Sequence, residues 1–132
     1  MEKVKLSDRA REILRSKTFA HVGAVDSSGR PHVTPVWVDA DKDRVWFNTA
    51  RGRVKDRLLQ LDAPAAVSAV NPDNPYEYVQ VRGRVAERRT TGADADIDYL
   101  AQKYLGEERY PFRRPGEERV TIVIEPEQIT GV

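Results

Sequence analysis

Apolar residues recur along this chain with two alternating periods. Leu6, Ala10, Ile13 and Leu14 fall at helical spacing behind Ser7, a residue type favoured as an N-cap, and predict a short amphipathic helix over residues 7–16. From Thr18 the period drops to two. Residues 18–26 read as a strand that breaks at Asp26-Ser27-Ser28-Gly29; His32 to Ala40 forms a second strand, and Arg44 to Thr49 a third across the turn Asp41-Lys42-Asp43. These three make an antiparallel meander. A second helix follows, with Val54, Leu58 and Leu61 on one face, and it ends before Pro64 because proline biases its predecessor away from helical geometry. Ala65 to Val70 and Tyr76 to Arg88 are two more strands joined by Asn71-Pro72-Asp73-Asn74-Pro75. The clearest helix carries Ile97, Leu100, Ala101, Tyr104 and Leu105 in one stripe and closes at Gly106. A polar loop over residues 107–118 leads to a last strand, Val120 to Pro126.

About six strands with non-adjacent short helices favour a mainly β, α+β architecture, a small antiparallel barrel rather than a doubly wound sheet. At 132 residues, 1–132 reads as a single domain with one core. The formal net charge of +1 argues against a protein that coats nucleic acid or an acidic membrane, since such binding rests on a broad basic surface. With no cysteine there is no disulfide framework, thiolate metal site or cysteine nucleophile. No apolar run approaches the roughly 20 residues of a membrane span, and Met1 to Lys17 is too charged for a secretory leader. A cytoplasmic protein is expected.

Basicity is local instead. Between the third strand and the second helix lie Arg51, Gly52, Arg53, Lys55 and Arg57. Cations repel one another, and a helix start favours negative charge, so this cluster calls for an anion; a phosphate suits Arg and Lys donors, with Gly52 allowing close backbone approach. A solvated charged surface is the plain alternative in a chain with 33% charged residues. His21 and His32 fall in strands and read as packing or surface residues, and Trp37 and Trp46 as barrel or interface anchors. No nucleophile–base or metal-ligand spacing is present, so no residue is assigned a catalytic role. A different class is a barrel without turnover, either a cofactor carrier or a module gripping single-stranded nucleic acid with the cationic loop and with Tyr76, Tyr78 and Trp37 as stacking platforms; the near-neutral charge counts against the latter.

The segments His21-Val22-Gly23-Ala24-Val25, Gly29 to Trp37, Val45-Trp46-Phe47-Asn48-Thr49, the cationic loop, Tyr99 to Gly106 and the closing Pro-Gly-Glu-Glu-Arg-Val strand, taken in order, resemble the split-barrel pyridoxamine 5′-phosphate oxidase-like superfamily. Within it the chain is most similar to the branch that uses the deazaflavin coenzyme F420 in place of FMN. The resemblance implies a homodimer with a coenzyme at each subunit interface. Carried over residue by residue, it places Thr34, Pro35, Val36, Trp37 and Asn48 beside the ring, makes Thr49, Arg53, Lys55 and Arg57 phosphate ligands, and brings Tyr78 to the coenzyme. FMN oxidases of this kind usually carry Arg where Thr34 stands and Lys where Asp39 stands; an aspartate near a phosphate disfavours FMN, which remains the alternative coenzyme. The implied chemistry is hydride transfer from reduced coenzyme F420 to an electron-poor small molecule. Arg109, Tyr110, Phe112, Arg113 and Arg114 form either a lid or a surface loop.

Overall fold

The computed structural model describes residues 4–132, so the start of the segment read as too charged for a leader lies outside it. Six strands close into an antiparallel barrel. In chain order the elements are α1 (Asp8–Arg15), β1 (Phe19–Val25), β2 (Pro31–Asp41), β3 (Arg44–Ala50), α2 (Val54–Leu58), β4 (Pro64–Asn71), β5 (Asn74–Arg89), α3 (Ala93–Leu105) and β6 (Arg119–Gly131). The strands run around the barrel as β1-β2-β3-β6-β5-β4, the split-barrel order, with the expected β1–β2–β3 meander intact. Alternate residues point inward, as the pleat requires: Val22, Val38, Val45, Phe47, Val67, Val81, Ile122 and Ile124 fill the interior.

Helices plug and flank this barrel. Ser7 caps α1 by accepting the Ala10 N–H at 3.0 Å, and Leu6, Ala10, Ile13 and Leu14 are buried in the core as their spacing predicts. Burying side chains such as Ile13 and Leu14 here and Leu59 beyond α2 contributes about 1.5–3 kcal/mol each. α3 lies across the outer face of β2, β3 and β6, capped by Gly106.

Three sequence expectations change. α2 is a single turn of five residues whose inward position is taken by Asp56; Leu61 is 64% exposed and Leu59 is the buried leucine. Leu105 is half-exposed at the end of the α3 stripe. β6 runs five residues past Pro126, its polar tail Glu127 to Gly131 masked from pattern reading but paired with β5 beyond a bulge at Arg82 and Gly83. At Gly83 a Cβ would lie 2.0 Å from the Glu125 carbonyl oxygen, so only glycine permits that close crossing.

Candidate functional site

β2, the β3–α2 loop, α3 and the 107–118 loop enclose an open cleft of about 280 Å3. Pro35, Val36, Trp37, Asn48, Arg53 and Lys55 line it together with Phe19, Ile97, Leu100, Tyr110, Phe112 and Arg119. One wall is aromatic. Trp37 stacks on Tyr104 with centroids 5.3 Å apart and planes 7° from parallel, while Tyr110 meets its edge at 6.0 Å and 89°. The Tyr104 hydroxyl donates to the Thr18 carbonyl at 2.5 Å and accepts the Val38 N–H at 3.1 Å, and burial pushes its pKa up to about 12. It is a neutral structural donor. The 107–118 loop is fastened as a wall: the Tyr110 N–H donates to Asp98 at 2.8 Å, and Arg113 pairs with Asp98 at 2.6 Å and Asp94 at 3.0 Å.

The other wall is positive. Lys55 Nζ donates to the Thr34 hydroxyl at 2.9 Å, and burial, then Arg53 and Arg119, hold its pKa below the usual lysine value. Among the described residues no carboxylate pairs with Arg53 or Lys55. A half-buried ammonium facing two guanidinium groups is unfavourable until an anion joins it. Hard, multiply charged oxygens such as those of a phosphate fit this donor set, and no group of three or more side chains able to hold a metal is found among the described residues.

The loop itself is held from behind by an acid that the cation count conceals. Asp56 pairs with Arg88 at 2.5 Å and accepts the Gly52 N–H at 2.9 Å, so the Gly52 amide is turned inward instead of toward a ligand. Gly52 is needed for its φ of +91°, which other residues rarely adopt. This pairing fixes Arg53 and Lys55 on the cleft side and leaves Arg57 exposed outside the lining.

The remaining sequence-derived site residues separate. Thr34 serves as the Lys55 acceptor. Thr49 is fully buried in register with Val45 and Phe47, its hydroxyl without a partner among the described residues, since period two turns it to the face opposite Asn48. Tyr78 sits on β5 opposite Val70, away from this chain's cleft. Asp39 is not near the cations. It is buried against Lys103 Nζ at 3.2 Å and accepts the Ala40 N–H at 2.7 Å, lining a separate hollow with Trp46 and Tyr99. α3 borders both, lending Ile97 and Leu100 to the cleft and Tyr99 to the hollow, and Asp39, paired with Lys103, is not among the cleft's lining residues, so the charge penalty against FMN loses its footing.

Pattern reading also passed over Arg119. It is 4% exposed, opens β6, donates through Nε to Asn48 at 2.8 Å and through Nη1 to Glu117 at 2.9 Å. An arginine directly before the apolar run Val120 to Ile124, two residues after a glutamate, was the available signal.

The sequence profile of the pyridoxamine 5′-phosphate oxidase family matches residues 6–132. The chain belongs to this family. A solved F420 reductase superposes on this family member with a TM-score of 0.80 at 26% identity, covering 95% of this chain and 98% of that one. The FAD binding protein from Mycobacterium smegmatis is similar at a TM-score of 0.63 and 22% identity, over 98% and 96% of the two chains. HupZ from Group A Streptococcus gives 0.69 and 16%, over 96% and 94%; these last two likenesses show the fold. No curated protein matches the chain by sequence.

Proposed function

We propose that this family member is an oxidoreductase that binds coenzyme F420 in the cleft and uses it to reduce an electron-poor small molecule. The observation that carries the reading is the Arg53–Lys55 pair, with no carboxylate partner among the described residues, set beside the Trp37–Tyr110 wall. When bound, such a coenzyme supplies hydride. The chain's own residues then have separate tasks. Arg53 and Lys55 hold the phosphate of the tail, Thr34 aims the Lys55 amine, and Trp37, Tyr110 and Phe112 shield the ring from water. The similarity to an F420 reductase supports the deazaflavin. FMN is the second reading, favoured by the position of Asp39 well away from the cations.

A second copy of this chain completes the site in this proposal. The cleft, about 280 Å3, is open on one side in a single chain, which leaves room for a partner to wall it. A nucleic-acid-gripping barrel fits less well, because Tyr76, 92% exposed, and Tyr78 lie apart from the cationic cleft.

Titrating the protein with oxidised coenzyme F420 and with FMN, followed by fluorescence, tests this. Binding of coenzyme F420 tighter than about 100 μM, roughly 5.5 kcal/mol, is expected. Tighter binding of FMN would replace the deazaflavin by the second reading, and no binding of either would end both.

A further inference from the structure

The cleft holds two kinds of positive group. Arg53 and Lys55 have no carboxylate beside them among the described residues and present unbalanced charge. Arg119 is different: Glu117 pairs with its Nη1 at 2.9 Å, and their side chains are 3% and 9% exposed. A phosphate brought against Arg119 would also meet the Glu117 carboxylate, which offsets part of the guanidinium charge, although Arg119 still acts on Lys55. What sets Arg119 apart from Arg53 and Lys55 is this paired, directional donor geometry.

Its geometry is fixed on three sides. Nε donates to Asn48 Oδ1 at 2.8 Å, Nη1 to Glu117, and the Tyr110 ring covers the guanidinium face with 5.1 Å from its carbon to the ring centroid. Asn48 is locked in turn, its amide donating to the Ala93 carbonyl at 2.9 Å and to Thr121 Oγ1 at 3.1 Å. Nη2 makes no hydrogen bond to a described residue, and Arg119 lines the cleft. With Glu117 offsetting part of its charge, this rigid donor edge is fitted to a carbonyl oxygen.

We infer that Arg119, held by Asn48 and Glu117, recognises the carbonyl edge of the bound ring, the pyrimidinedione edge that flavins and deazaflavins share, while Arg53 and Lys55 hold the phosphate. This rests on the reading of the cleft as a flavin-type coenzyme site. Affinity is thereby divided into a ring part and a tail part carried by different residues. Either coenzyme can enter through the same edge.

The test compares ligands with and without the phosphate: FMN against riboflavin, and coenzyme F420 against its tail-free deazaflavin chromophore. Each is titrated into wild type, Lys55→Ala, Arg119→Gln, Arg119→Lys and Glu117→Gln, with melting temperatures recorded to establish folding. Arg119→Gln is expected to weaken both members of a pair by the same factor, about tenfold for one charge-assisted hydrogen bond. It should also return the absorption maximum of the bound ring toward that of the free ring. Arg119→Lys keeps the charge but loses the planar edge, and should show the same loss. Lys55→Ala should weaken only the phosphate-bearing member. Glu117→Gln leaves Arg119 uncompensated and should tighten the phosphate-bearing member with a steeper salt dependence. If Arg119→Gln weakens the phosphate-bearing member alone, Arg119 is a phosphate ligand and the inference fails while the coenzyme reading stands. If Arg119→Lys binds the tail-free ring as wild type does, the donor edge is not used and the inference fails too. If wild type binds none of the four ligands, the coenzyme reading falls and the inference with it.

Discussion

Lys55 concentrates the tension of the site in one amine. Burial, with Arg53 and Arg119 nearby, lowers its pKa, so the unfolded chain binds more protons than the folded one between that lowered value and 10.5. Stability therefore rises with pH across this window, and the cost of the buried charge is largest below it. Lys55→Ala should melt at the same temperature as the ligand-free wild type or higher near neutral pH, and the difference should shrink as pH rises toward 10.5. A variant that melts lower at neutral pH would show that Lys55 stabilises the fold. The same change removes a charge-assisted bond to the phosphate, weakening coenzyme binding by about 1.5–3 kcal/mol in a titration. Arg57, two residues on but exposed and outside the lining, serves as the contrast: Arg57→Ala should change affinity by less than about 0.5 kcal/mol.

At the level of elements, the cationic loop is held in shape by a bond from α2 to the neighbouring strand β5. Asp56 and Arg88 are 32 residues apart, and Arg88 also donates to the Asp56 and Leu59 carbonyls at 3.2 and 2.7 Å. Burial raises the Asp56 pKa, but the Arg88 bond and the Gly52 N–H outweigh it and leave the carboxyl below the usual 3.8. Its stabilising effect is thus present above that value and lost as pH falls through the lower folded one. Asp56→Asn should leave Arg88 buried without its counter-charge, costing about 3–5 kcal/mol in urea unfolding and flattening the acid side of the stability profile. This pair also explains what the sequence conceals. The α1 stripe and the strands β1, β2 and β3 were legible because burial follows local period. The inward turn of Asp56 was not, since a helical pattern assigns that face to Val54, Leu58 and Leu61 unless a distant arginine claims it. Asp39 and Arg119 escaped for the same reason: Lys103 and Glu117 decide where their charges go, and neither relation is written in spacing.

The whole molecule is covered unevenly, and that imbalance bears on how the site is completed. α3 shields the outer face of β2, β3 and β6, and α1 closes one end, while in the rows Val33–Gly23–Ala66 and Pro35–His21–Ser68 across β2, β1 and β4 the residues Val33, Pro35, His21 and Ser68 are exposed. Val33 is 61% exposed there, and Gly23, Val25, Pro31, Ala65 and Ala66 border a shallow groove of about 370 Å3. Small and apolar residues on a sheet face, here bordered also by Arg82 and Glu127, are suited to a second sheet, and we propose that a second copy of this chain sits there. Pro35 belongs both to this face and to the cleft, so a partner seated on it would wall the coenzyme as well. Light scattering should then report twice the 15.0 kDa of one chain. Val33→Asp, by placing a charge in the middle of the face, should give a folded monomer whose coenzyme affinity falls although Arg53, Lys55 and Arg119 are untouched. A wild-type monomer that binds coenzyme fully would show that one chain suffices, and the cleft would then have to close from within, by the 107–118 loop that already carries Tyr110 and Phe112.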